Sequence, residues 1–332
     1  MALTILHPGL YTTVQDLGRF GFQKYGVITS GAMDEQALRI ANMLVANEAN
    51  AACLEITLIG PTLIFTKPTL FAITGGNLQP ELNGQPLKMW QPHVAQSGDV
   101  LQLSNARTGC RSYLALAGGI DVPVVLNSRS TYVRAQLGGL EGRLLKKRDV
   151  IEHCPLNALQ LSLLQALSYQ QLSWHAFYLN FATTSQEVTV RFTKGLEYDM
   201  FTKESHVNFT KNYYRVTPQS DRMGCRLSGV ALVRHTTEEL LSEAVAFGTI
   251  QIPPNGQPIV LLADHQTTGG YPKVGQVISA DLSLLAQLRP GAKVRFTEVS
   301  HAEAEQYYLH NARHLALLDH SIKTHYKKLS SY

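Results

Sequence analysis

The stretch Leu54-Glu55-Ile56-Thr57-Leu58-Ile59-Gly60-Pro61-Thr62-Leu63-Ile64-Phe65 sets the fold class. From Leu54 to Leu58 apolar residues alternate with Glu55 and Thr57, the period-two pattern of a half-buried strand. Gly60-Pro61 breaks that strand, and a second begins at Thr62. The same short unit recurs outward at 70–74, 100–103 and 113–117, and later at 188–192, 214–217, 259–263, 277–279 and 294–299. Pro253-Pro254-Asn255-Gly256 is an evident turn among the later ones. The first half carries one clear helix: Met33, Ala37, Ile40, Ala41, Leu44 and Val45 recur at helical spacing, from a start at Ser30-Gly31 to a stop near Asn47. That helix should lie across a sheet or barrel, so the expected fold is mainly β with a few helices.

A chain of 332 residues is long enough for about two domains. Asp, Glu, Lys and Arg make up only 16% of it against a usual figure of roughly 25%, and 45% is apolar, which excludes a disordered protein. A net charge of +4, with no basic run beyond Lys146-Lys147-Arg148, is too weak a footprint for nucleic acid. Cys53, Cys110, Cys154 and Cys225 show no metal-ligand spacing and read as buried free thiols. His310, His314, His320 and His325 do not share one helical face, so no metal site is expected. The N-terminal residues lack the pattern of a signal peptide, and the uncharged stretch 154–186 is interrupted by Asn157, Gln160, Gln165, Gln170 and Gln171, so neither export nor a membrane span is expected. The location expected is cytoplasmic.

After Asp149 the pattern changes to a Leu/Gln-rich, helical crossing at 156–172. The organisation expected is an N-terminal β domain at 1–154, a connector at 155–186, a C-terminal β domain at 187–300 and a helical tail at 301–332, with Tyr308, Leu315, Leu318 and Ile322 along one face of the tail.

Four Gly-rich polar segments stand out as candidate chemistry. In 12–19, Asp16 and Arg19 lie beside Gly18, and the chain runs on to Ser30-Gly31-Ala32-Met33-Asp34. An Arg fork matches a carboxylate or phosphate, so Asp16 can orient Arg19 toward an anion, with backbone N–H groups at Ser30 and Gly31 adding to the site. The competing interpretation is an Asp16–Arg19 pair across a turn, with Ser30 as an N-cap. In the second segment, Gly118-Gly119 precedes Ser128-Arg129-Ser130-Thr131, and Arg111 stands before the strand that leads to it. Taken by themselves, these residues read more readily as a plain strand-end turn with surface Ser and Thr. The third, Ser220-Asp221-Arg222-Met223-Gly224, repeats the Asp/Arg/Gly theme, which suggests one cleft served by both halves. The fourth, Asp264-His265-Gln266-Thr267-Thr268-Gly269-Gly270-Tyr271-Pro272, leaves an apolar strand for a turn whose hydroxyls and N–H groups suit a carbonyl oxygen.

These segments, in this order, resemble the family of C-type 5-oxoprolinase subunits, also called KipA or allophanate hydrolase subunit 2, which is similar as well to the carboxyltransferase region of urea carboxylase. The resemblance rests on TTVQDLGR at 12–19, SGAMD at 30–34, LEIT at 54–57, Gly60-Pro61, YLALAGGIDVP at 113–123, SRST at 128–131, SDRMG at 220–224 and DHQTTGGYP at 264–272. It spans roughly residues 4–299 and leaves the tail outside. Val45-Ala46-Asn47 and Gly195-Leu196-Glu197 depart from the family pattern without removing a candidate residue.

The resemblance implies two cyclophilin-like β-barrel domains and ATP-dependent opening of 5-oxo-L-proline to L-glutamate. The partners it implies are the B-type (KipI-like) and A-type subunits of 5-oxoprolinase, with ATP as co-substrate of the complex. The alternatives it implies are transfer of a carboxyl group from carboxybiotin to urea or another amide, or regulation by binding a KipI-like kinase inhibitor. The residue roles that follow are Asp16, Asp34 and Asp221 as orienters or proton handlers, and Arg19, Arg129 and Arg222 as anion clamps. Gln266, Thr267 and Thr268 with Gly269-Gly270 form the carbonyl-oxygen site, and Tyr271 is a wall. Ser30, Gly31, Arg111, Ser130 and Met223 complete the expected substrate contacts.

Overall fold

A computed structural model of the chain describes residues 2–169, 172–176, 187–235 and 240–329. The connector expected at 155–186 therefore falls partly outside the described residues. Two compact units emerge, each discontinuous in sequence. The first comprises Met1–Arg19, Asp34–Phe181 and His314–Tyr332; the second comprises Phe20–Met33 and Ala182–Arg313.

The first unit holds two antiparallel sheets. One has six strands in the order Val150–Ile151, Leu3–His7, Thr62–Phe65, Val100–Gln102, Glu81–Leu82 and Gln85–Pro86. The other has five, in the order Tyr11–Gln15, Cys53–Thr57, Thr108–Leu116, Thr69–Asn77 and Pro92–Ala95. The strands that the alternation places at 54–58 and 62–65 thus belong to different sheets, separated by the Gly60-Pro61 break. Leu3, Ile5, Leu54, Ile56, Leu63, Phe65 and Phe71 share one core, and each such burial is worth about 1.5–3 kcal/mol over exposure.

Helix α1, Glu35–Leu44, buries Ala37, Leu38, Ile40, Ala41 and Leu44, and Thr74 Oγ1 of the five-stranded sheet donates to the Ala37 carbonyl at 2.7 Å. Its start corrects the sequence expectation: the cap is Asp34, whose carboxylate accepts from Ala37 N, and not Ser30-Gly31. Ser30 and Gly31 have φ of 55° and 90°, left-handed values from which a helix does not start. Helix α2, Ala158–Leu167, opens on an Asn157/Gln160 capping box. Buried Gln160 also donates to the carbonyls of Val45 and Ala46, so a glutamine that interrupts an apolar run closes the end of α1.

The second unit is a closed seven-stranded barrel, Glu187–Lys194, Lys273–Val277, Thr249–Gln251, Ile259–Leu261, Gly224–Ser228, Tyr214–Val216 and Lys293–Glu298. Lys293–Glu298 closes it by pairing parallel to Glu187–Lys194. Val190, Phe192, Phe209, Ile250, Val260 and Phe296 fill the interior, and Met33 of the 20–33 segment belongs to the same core. Two short helices, α3 at Lys203–Lys211 and α4 at Leu282–Ala286, complete this unit. The strand expected at 277–279 ends at Val277, because Ser279–Asp281 turns into a 3-10 helix whose Asp281 carboxylate binds Arg191.

The tail forms α5, His301–Leu329, in which Ile322 and Tyr326 are buried and Tyr308 is 56% exposed. The apolar face thus runs through Ile322 and Tyr326 and leaves Tyr308 in solvent. All four cysteines are free; Cys154 is only half-buried, contrary to the expectation that every thiol is buried.

Candidate active site

The four polar segments pair off into two clusters, one in each unit. In the first unit the strand Tyr11–Gln15 ends at Asp16, and its carboxylate gathers a loop more than a hundred residues away. It accepts from Gly18 N at 2.8 Å, Ser128 Oγ at 2.7 Å, Arg129 N at 2.5 Å and Ser130 Oγ. Arg19, fully buried, donates to the Ser130 carbonyl, and Arg129 Nε donates to the Val122 carbonyl. Asp16 therefore shapes the 128–131 loop.

Beside it in the same unit, Tyr113 Oη donates to Glu55 at 2.7 Å and accepts from Asp34 N at 2.7 Å. Arg111 Nε lies 3.9 Å from Glu55. Burial first, then the charge of Glu55, holds the Tyr113 phenol well above its ordinary pKa, so it remains a hydrogen-bond donor. Glu55 and Tyr113 lie in the quoted LEIT and YLALAGGIDVP strings, yet their periodicity marks them only as strand residues.

The second cluster follows from barrel register. Gly224 pairs with Leu261, and the pairing continues outward as Leu262 N donates to Met223 O and Asp264 N to Arg222 O. Arg222 and Asp264 thus meet as a buried bidentate pair, both bonds 2.9 Å. Ser30 Oγ donates to Asp264 at 2.8 Å, and Arg222 Nη2 donates to the Gly31 carbonyl at 2.6 Å. The fork read as an anion clamp is directed at Asp264, and it ties the 20–33 segment to the barrel unit.

Asp221 accepts from Met223 N at 2.8 Å and Gly224 N at 3.1 Å, an Asx turn that reverses the chain. Met223 then lines a cavity of about 450 Å³ together with Gln266, Tyr271, Gln251, Thr217 and Arg226. Thr267, Thr268, Gly269 and Gly270 do not line it. Thr268–Gly269 instead pairs antiparallel with Glu243–Ala244, and Lys273 Nζ fastens that ribbon through Glu243 at 2.6 Å, with Glu197 at 3.4 Å. His265, buried next to Asp264, has its pKa pushed below the ordinary value by burial. Two motif segments, SDRMG and DHQTTGGYP, therefore converge on one pocket of a size that suits a small molecule.

Residues 25–298 match the carboxyltransferase domain, subdomain A and B. The chain belongs to the carboxyltransferase domain family. This carboxyltransferase domain is 42% identical to the C-type 5-oxoprolinase subunit of Escherichia coli, over 91% of the chain and 93% of that protein. It is 34% identical to the urea amidolyase of Lachancea kluyveri over 92% of its own length, but it spans only 17% of that much longer protein. The crystal structure of the K. lactis urea amidolyase superposes with a TM-score of 0.84 at 30% identity, covering 96% of the chain and 20% of that structure. No described helix of the carboxyltransferase domain is long and apolar enough to cross a membrane.

Gln251, like Thr217 and Arg226, lines the cavity without belonging to any quoted motif. The signal available for Gln251 in the sequence is a glutamine, 2% exposed here, two positions from Thr249 in the strand before Pro253-Pro254-Asn255-Gly256.

Proposed function

We propose that the chain is one component of a heteromeric, ATP-dependent 5-oxoprolinase that opens 5-oxo-L-proline to L-glutamate. The observation that carries this reading is the near full-length similarity, on both sides, to the C-type 5-oxoprolinase subunit of E. coli. The cavity lined by Met223, Gln266 and Tyr271 supports it as a place of a size that suits a small cyclic amide. Met223 and Tyr271 supply apolar surface to the ring, and Gln266 supplies an amide for hydrogen bonding. Arg222 and Asp264 keep the two walls in register, a positioning role. The reaction breaks the lactam C–N bond and adds one water, coupled to hydrolysis of ATP as co-substrate of the complex. Partners of the A-type and of the B-type (KipI-like) complete the enzyme.

A second reading, carboxyl transfer from carboxybiotin to an amide nitrogen, is favoured by the TM-score of 0.84 to the K. lactis urea amidolyase. Biotin then arrives on another protein, since the chain has no Ala-Met-Lys-Met sequence. The deciding assay is glutamate release from 5-oxoproline by the three assembled components with ATP. Release that disappears when this chain or ATP is omitted supports the first reading; undiminished release without the chain, or none from the full assembly, overturns it.

A further inference from the structure

Protein interiors seldom leave polar groups without partners, and each exception calls for a reason. The barrel unit has two on one cavity. Gln251 Nε2 and Thr217 Oγ1 are buried without a hydrogen-bond partner among the described residues, and both residues line the cavity of about 450 Å³. The Gln251 carboxamide lies against Gly269, where a Cβ would stand 2.5 Å from Nε2. The first glycine of the Gly269-Gly270 pair thus makes room for an amide nitrogen without a partner among the described residues. Gln χ3 is a broad, nearly two-fold torsion, so this carboxamide can reorient toward a partner in the cavity that the residue lines. Among the residues lining the cavity the single charged side chain is Arg226, which is exposed.

A planar carboxamide presents a donor and an acceptor side by side. Its complement is a cis-amide edge, in which N–H and C=O point the same way, as they must in a small ring. An open-chain trans amide turns them apart. A guanidinium beside that edge adds recognition of a carboxylate. We infer that Gln251, with Thr217 beside it, recognises the cis-amide edge of a small cyclic amide, and that Arg226 holds a carboxylate on the same ligand. This rests on the proposed function for the choice of site and goes beyond it by naming the residues that select the substrate class. A lactam and a cyclic urea share this chemistry.

The test is an NMR titration of the full chain that follows the Gln251 side-chain amide resonances. The ligands are 5-oxoproline, 2-oxoimidazolidine-4-carboxylate as the cyclic urea, 2-pyrrolidinone without the carboxylate, and N-methyl-5-oxoproline without the N–H. Gln251→Met is expected to weaken 5-oxoproline by about tenfold or more, the scale of losing a well-placed hydrogen bond in a buried polar site. Arg226→Ala is expected to weaken 5-oxoproline by a similar factor while leaving 2-pyrrolidinone unchanged. Preference between 5-oxoproline and the cyclic urea tells which ring the site takes. Unchanged affinity in a folded Gln251→Met chain, or no binding of either ring by the wild type, overturns the inference. Should that variant not fold, equal binding of 5-oxoproline and its N-methyl derivative by the wild type overturns it as well. The two claims fail separately. Binding through Gln251 without glutamate release by the assembly defeats only the proposed function. Glutamate release with an unchanged KM in Gln251→Met defeats only this inference.

Discussion

At the residue scale, two buried aspartates organise the polar segments, and they do so differently. Asp16 is hydrogen-bonded by hydroxyls and backbone N–H groups, whereas Asp264 is paired with a guanidinium. Removing one partner of a buried pair strands the other charge, so Asp264→Ala is expected to lower stability by about 3–5 kcal/mol, read as a fall in the urea midpoint. The double change Asp264→Leu with Arg222→Met should cost much less than the two single changes added together, because no lone charge then remains. His265 gives a pH signature. Burial lowers its pKa in the folded chain below the ordinary 6.5, so the unfolded chain binds more protons as pH falls through 6.5 toward the folded value. Stability is full above that window and declines through it, and His265→Asn should flatten this part of a melting curve series from pH 7 to pH 5. The candidate residues were legible because Asp, Arg and Gly cluster in short strings. Their partners were not, since Asp16 meets Ser128 of a loop 112 residues away and Arg222 meets Asp264 through strand register over 42 residues.

At the element scale, alternation and turn residues located most strands, and the Gly60-Pro61 break proved to be the passage between two sheets. The start of α1 was less legible, because Ser30 and Asp34 both suit an N-cap and the backbone angles decide between them. The glycines of two elements differ in what they permit. At Gly75, with φ of 81°, an added Cβ would run into the Arg111 carbonyl of the neighbouring strand, and neither strand can yield. Gly75→Ala is therefore expected to destabilise the first unit by more than about 1 kcal/mol, read by denaturant unfolding. At Gly269 the obstacle is the mobile end of Gln251, so Gly269→Ala should keep the melting temperature near wild type while altering ligand affinity.

At the scale of the whole molecule, the chain divides into an open two-sheet unit and a closed barrel, and it passes between them more than once. No composition shift marks residues 20–33 as part of the second unit; Met33 in the barrel core and the Gly31–Arg222 bond do so. The tail lies beyond the 25–298 match, yet residues from His314 onward group with the first unit. Tyr326 there is 1% exposed, donates to the Leu44 carbonyl at the end of α1, and has Trp174 within 6.1 Å between ring centres. Tyr326→Ala should cost about 3–5 kcal/mol, the range for emptying a buried aromatic site, measured by thermal or urea unfolding. Whether the barrel cavity holds a small cyclic amide is decided by a crystal structure of the chain grown with saturating 5-oxoproline. The lactam is expected between Met223, Gln251, Gln266 and Tyr271, with its carboxylate toward Arg226. A ligand seated only elsewhere, such as the first-unit cavity beside His93 and Tyr169, or a barrel cavity without ligand at saturation, would refute that placement.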